Sequence, residues 1–150
     1  MKILMVCLGN ICRSPLAHGI LEHKLQQKKL NWTVNSCGTS SWHIGEPPDR
    51  RSIEIARMNG IDISQQRAAQ FSKEDYKNYD LIIAMDASNY NDIISQAQNE
   101  SDKAKVSMLM NYLYKGENRQ VPDPYYNGGF QLVFDMISEA TDKLIKNYEK

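Results

Sequence analysis

The sequence carries no net charge: eighteen Lys and Arg balance eighteen Asp and Glu. Without a basic excess there is no electrostatic footprint for nucleic acid or an anionic membrane. Cysteine is scarce, with only Cys7, Cys12 and Cys37. An odd, small number speaks against a disulfide framework and for reduced thiols. The three histidines, His18, His23 and His43, show no metal-ligand spacing with those cysteines, so no metal is expected. Long apolar runs are missing too. The run at residues 3–6 is too short for a signal-peptide core or a membrane span, and no other window approaches one. The expected compartment is therefore the cytoplasm. There is no repeat, low-complexity tract or linker, so the 150 residues are expected to form one domain, 1–150. That length buries a sizeable core without disulfides.

Strand and helix patterns alternate along the chain. Residues 3–6 are a continuous apolar run, which reads as a buried strand. Ser14 suits a helix N-cap and Pro15 the first helical position. Leu16, Ile20, Leu21 and Leu25 then recur at helical spacing. Residues 32–35 form a second strand candidate, and 38–48 a loop marked by Gly38, Gly45, Pro47 and Pro48. Asp49 caps a helix expected to run to about Asn59, with Gly60 as its stop. Ser72, Glu74 and Asp75 start a short helix. LIIAM, residues 81–85, is the strongest strand, and Asp86 opens the helix after it. Residues 98–104 read as a polar loop, 106–110 as a fourth strand, and Phe134, Ile137, Leu144 and Ile145 as one face of a C-terminal helix. Short apolar strands separated by helices imply a parallel sheet covered on both faces. In such sheets ligands bind at the carboxyl ends of the strands, where Cys7 stands.

The segment CLGNICRSP, residues 7–15, therefore runs from a strand end into a helix start. A loop of that kind aims successive backbone N–H groups at one point, and the helix dipole adds positive potential. Gly9 has no side-chain barrier to unusual dihedrals, and Asn10 tolerates the left-handed region better than most residues. Arg13 offers a bidentate guanidinium to a phosphate. The field that attracts phosphate also favours thiolate over thiol at Cys7. Near the other end lies VPDPYY, in which Asp123 sits between two prolines in a stiff extended loop. That suits an acid held over a pocket, with Tyr125 and Tyr126 as an aromatic wall. A plain surface turn reads equally well from local sequence.

CLGNICRS together with DPYY resembles the low-molecular-weight protein tyrosine phosphatases. The similarity covers essentially the whole chain. It includes NSCGTSSWHIGEPPD, similar to the family's S-x-G-T-x-x-W/Y…G-x-P-x-D segment, and LIIAMDASN, similar to its strand followed by M-D-x-S-N. The resemblance implies an α/β, flavodoxin-like four-stranded parallel sheet of order 2-1-3-4 with helices on both faces. It implies no metal and no organic cofactor. It also implies hydrolysis of phosphotyrosine and small aryl phosphates through a phosphocysteine intermediate.

Carried onto this chain, Cys7 is the nucleophile, Arg13 the clamp and Asp123 the general acid, then base. Leu8, Gly9, Asn10, Ile11 and Cys12 form the phosphate loop with Arg13. Ser14 bonds the Cys7 sulfur, and Asn10 holds the loop's shape with Ser36 as its partner. Ile11, Trp42, Tyr125 and Tyr126 line the pocket, and Cys12 is the redox partner of Cys7. For Trp42 an exposed loop aromatic is the bland alternative, and His43 reads as a solvated loop residue. Asp86 is similar to a family aspartate behind the tyrosine wall, with a helix N-cap the competing reading. Expected partners are phosphotyrosine proteins and a tyrosine kinase.

One departure stands out. The family often has a histidine after the position of Ser64, supporting the loop through the asparagine, where this chain has Gln66. The alternatives are an arsenate reductase, a protein arginine phosphatase or a non-catalytic phosphate-binding module. No cysteine follows Cys37, so the reductase's thiol relay is missing. Arginine phosphatases typically place threonine where this chain has Ile11, whose apolar edge suits a flat aromatic ring.

Overall fold

The computed structural model describes residues 1–150. Four parallel strands form one sheet in the order β2-β1-β3-β4: β1 (Lys2–Cys7), β2 (Thr33–Gly38), β3 (Leu81–Ala84) and β4 (Val106–Met108). This is the expected flavodoxin-like order. Side chains alternate across a strand. Ile3, Met5 and Cys7 of β1 therefore face one layer, while Leu4 and Val6 face the other. The first layer holds α1 (Arg13–Gln27), α2 (Arg50–Met58) and α6 (Phe130–Tyr148). The second holds α3 (Asp75–Asn78) and α4 (Ala87–Ile94). Each Leu or Ile fully buried between them contributes roughly 1.5–3 kcal/mol. No helix is long and apolar enough to cross a membrane.

Local chemistry explains most boundaries. Asp49 caps α2 by accepting from the Arg51 N–H at 2.8 Å, and Gly60 beyond its end has a φ of 78°. Four expectations shift. Ser14 is not the cap of α1: the helix starts at Arg13 with no side-chain cap, because the Ser14 hydroxyl is used elsewhere. β2 starts one residue later than expected and runs on to Gly38, since its C-terminal half pairs with β1 through Cys7. Residues 98–104 are not all loop. Asn99 accepts from the Asp102 N–H at 2.8 Å and caps a short helix, α5 (Glu100–Ala104). The fourth strand stops at Met108, and Leu109–Tyr112 closes into a 3-10 turn.

Candidate active site

The loop between β1 and α1 leaves the carboxyl edge of the sheet at Cys7. Asn10 adopts the left-handed conformation, with φ 58°. Gly9 does not; a Cβ there would come within 3.0 Å of the His43 ring, so its glycine serves close approach. Gly38 of the neighbouring strand is tighter still, since a Cβ would stand 2.6 Å from the Leu8 carbonyl oxygen. The backbone N–H groups of Leu8, Gly9, Ile11, Cys12 and Arg13 have no acceptor within the chain. The Asn10 N–H points inward, 3.3 Å from the Cys7 sulfur, and the Ser14 hydroxyl lies 3.0 Å from the same atom.

Asn10 pins the loop through its side chain. Its Nδ2 donates to Ser14 Oγ at 2.8 Å, and its Oδ1 accepts from the Ala69 N–H at 3.1 Å. Ser36 is therefore not its partner, contrary to expectation: both ends of the amide are already occupied. The Ser36 hydroxyl lies instead 3.1 Å from His18 Nδ1 and 3.5 Å from Gln66 Oε1. Gln66 does not reach Asn10 either; its Nε2 donates to the Pro15 carbonyl at 3.1 Å. The loop is held from below by backbone and amide groups that do not titrate.

Titration enters one layer down, at His18. Burial disfavours its charged form and outweighs Glu22, 3.6 Å away, so its pKa lies below the ordinary value. The unfolded chain then binds a proton that the native state resists. Stability is retained above the unfolded value of about 6.5 and lost as pH falls through it toward the folded value. Urea unfolding between pH 7 and 5.5 should show this decline, and His18→Gln should flatten it. Parallel profiles for the two proteins would refute the assignment.

Arg13 is buried at 3% exposure. Its Nη1 donates to Asp86 Oδ2 at 2.6 Å and to the Val121 carbonyl at 3.0 Å, and its Nη2 lies 3.7 Å from Asp123 Oδ2. Burial works against the guanidinium's charge, but negative charge at Cys7, Asp86 and Asp123 more than restores it, raising the pKa. Asp86 is the helix cap that one of its readings expected, Oδ1 accepting from the Asn89 N–H at 2.8 Å at the start of α4, and its Oδ2 holds Arg13, a second role that neither reading named. The signal for that second role was a carboxylate directly after the strand beside β1, at the same sheet edge as Cys7. The Cys12 thiol is pushed up to about 12, by burial first and then by the charge of Asp49. It is a protonated thiol beside the cleft.

Cys7, Leu8, Gly9, Ile11, Cys12 and Arg13 of the loop line a cleft of about 540 Å³, counting its open mouth, together with Trp42, His43, Asp123, Tyr125 and Tyr126 from two other stretches of the chain. Asn10, Ser14 and Ser36 are not on its surface; they are buried around the loop. His43 belongs to the wall, not to open solvent, with Nδ1 held 2.9 Å from Glu46 Oε2. The Tyr125 and Tyr126 rings meet edge to face at 4.9 Å. Trp42 and Tyr126 are 71% and 83% exposed, an apolar rim around a polar floor. No group of three His, Cys, Asp or Glu side chains is gathered to hold a metal ion.

A sulfur at the floor of a loop rich in unpaired amides, beside a buried arginine, defines an anion-binding α/β protein. The chain belongs to the family described as low molecular weight phosphotyrosine protein phosphatase, whose model matches residues 2–150. The Synechocystis protein slr0328 is 44% identical over 154 residues, covering 100% of this chain and 98% of the relative. The low molecular weight protein-tyrosine-phosphatase YfkJ of Bacillus subtilis is 37% identical over 151 residues, covering 99% of this chain and 96% of the relative. The crystal structure of YfkJ superposes with a TM-score of 0.92, covering 100% of this chain and 97% of that one. That of DARP, a Drosophila arginine phosphatase, superposes at 0.93 with 31% identity, covering 100% and 99%.

Proposed function

We propose that residues 1–150 act as one domain that hydrolyses phosphotyrosine in proteins, and small aryl phosphates, by two displacements at phosphorus. Cys7 as thiolate attacks phosphorus; an S–P bond forms as the aryl P–O bond breaks, and Asp123 delivers its proton to the departing phenolic oxygen. Water then attacks the phosphocysteine, with Asp123 accepting its proton. The S–P bond breaks, inorganic phosphate leaves, and the electron pair returns to sulfur. Ser14, 3.0 Å from that sulfur, stabilises it as it leaves. The N–H groups of the loop and Arg13 hold the non-bridging oxygens, where charge builds in the transition state. Trp42, Ile11, Tyr125 and Tyr126 enclose the ring.

The observation that carries this reading is the row of unpaired loop N–H groups around Cys7, with the Arg13 guanidinium among them and Asp123 Oδ2 3.7 Å from its Nη2. Ile11 and the tyrosine pair favour a flat aromatic ester. The likeness to DARP favours a second reading, hydrolysis of phosphoarginine. Rates on phosphotyrosine, phosphoserine and phosphoarginine peptides decide between them. Phosphotyrosine is expected to be fastest by at least about tenfold, a 1.4 kcal/mol preference for its transition state. A faster phosphoarginine rate would replace the reading. The three free thiols fit the reducing cytoplasm as the compartment, with a tyrosine kinase as the opposing activity.

A further inference from the structure

One cation near the cleft is left over by that chemistry. Arg51, in the first turn of α2, forks onto Asp49: Nε lies 3.0 Å from Oδ1 and Nη2 lies 3.1 Å from Oδ2. The same Nη2 donates to the Tyr125 carbonyl at 3.0 Å. The guanidinium also lies over two rings, 4.7 Å from the centroid of Phe130 and 5.6 Å from that of Tyr125. Four interactions on one exposed-edge arginine are many, and they join two loops with no strand between them.

The connections run in a circle. The Asp49 N–H donates to the Ile11 carbonyl, in the phosphate loop, at 2.7 Å. Asp49 grips Arg51, and Arg51 grips Tyr125. The Tyr125 N–H donates to Asp123 Oδ1 at 3.1 Å, and Asp123 Oδ2 faces Arg13 at 3.7 Å, back at the phosphate loop. The segment 122–126 has few other ties: its prolines cannot donate hydrogen bonds, Pro122, Asp123, Tyr125 and Tyr126 are exposed, and only the buried Pro124 is held, its carbonyl accepting from the Gly128 N–H at 2.9 Å.

We propose that Arg51 is a positioning residue, a strap that binds the segment carrying Asp123 to the phosphate loop and so sets the carboxyl group where the leaving oxygen will be. The proposal rests on the reading of Asp123 as the general acid. Arg51 touches no reacting atom in this scheme; it acts through the Tyr125 carbonyl and the turn that follows from it. A displaced carboxyl matters most where the leaving oxygen needs a proton most.

The test is the rate on two esters, phenyl phosphate and a dinitrophenyl phosphate, whose leaving group departs without a proton. Arg51→Gln is expected to lower the single-turnover rate of phenol release from phenyl phosphate by about tenfold, a fraction of the roughly 10²–10⁴-fold that proton transfer supplies, and to leave that rate for the dinitrophenyl ester within about twofold. Steady-state kcat is not the readout, because hydrolysis of the phosphocysteine is common to both esters. Asp49→Asn keeps an acceptor for the α2 cap but weakens the grip on Arg51, so it should reproduce the same selectivity. Arg51→Lys retains the charge and should recover part of the loss. Arg51→Gln added to Asp123→Ala should cost nothing more on phenyl phosphate.

Equal losses on both esters, or a rise in KM alone, would overturn the strap and make Arg51 a structural or substrate-binding residue. If Asp123→Ala itself hits both esters equally, the acid reading fails with it. If Asp123→Ala is selective and Arg51→Gln is not, only the strap fails.

Discussion

Cys7→Ser should remove turnover of every aryl phosphate, by at least about 10⁴-fold, the scale seen when a covalent nucleophile is lost. A hydroxyl in the same place remains protonated at neutral pH and cannot leave phosphorus easily in the second step. What binds the anion stays: the loop N–H groups and the Arg13 fork belong to other residues. The variant should therefore still bind inorganic phosphate or vanadate, with Kd changed by less than about tenfold by calorimetry, because the loop's hydrogen bonds outlast the sulfur. Activity within about a hundredfold of the parent would mean that another group accepts the phosphoryl. A variant that folds but no longer binds phosphate would mean that the sulfur also organises the loop, through the Asn10 N–H that now points at it.

Asp123→Ala is the second large effect. The first release of phenol should slow by roughly 10²–10⁴-fold from phenyl phosphate, and by much less from a dinitrophenyl ester. The carboxyl lines the same cleft as Cys7, with Oδ2 3.7 Å from Arg13 Nη2. That is close enough to share its field and too long for a hydrogen bond, which leaves the group able to move a proton. Under the proposed mechanism the residue is also the base that activates water, so the dinitrophenyl ester should show a burst of phenol release followed by slow turnover in the variant. Rapid-quench measurement of that burst separates the two roles. A loss of equal size on both esters, with no burst, would take the proton-transfer role away from Asp123.

The alternation of strands and helices and the place of the site at a strand's carboxyl end were legible because both come from short-range patterns, whereas the order of the strands was implied by the family resemblance alone. The apolar runs at residues 3–6 and 81–85 have no helical period, and the glycine, asparagine and proline around them mark the breaks. Cys7 and Arg13 could be named from the strand-to-helix loop that carries them, whereas Asp123 reads locally as a surface turn too and was singled out only by its joint presence with that loop and by the resemblance. The supports of the loop were not legible. Asn10 finds its partners in Ser14 and in the backbone of Ala69, 59 residues away, and backbone acceptors and donors leave no trace in residue identity. Ser36 was assigned to Asn10, yet it serves His18 and Gln66, because the register of β2 turns its side chain one layer below the loop. Asp86 and Arg51 were hidden for a related reason: each is a good cap or first-turn residue on local grounds, and a second partner far along the chain shows only in three dimensions. The Asn99 cap was overlooked because the residues after it are polar on every side and leave no apolar stripe to reveal a helix.

Gly38 sets a limit on how this catalyst could be altered. With the Leu8 carbonyl oxygen 2.6 Å from where a side chain would begin, the outer strand acts as a mould against which the bowl is cast. Trp42 and Tyr126 stand largely free of the body and so can be exchanged to court new substrates at little structural cost. The floor has no such freedom, because even one methyl group on its mould would deform the ring of unpaired amides. Room for substitution in a protein built this way lies at the lip of the cup and not beneath it.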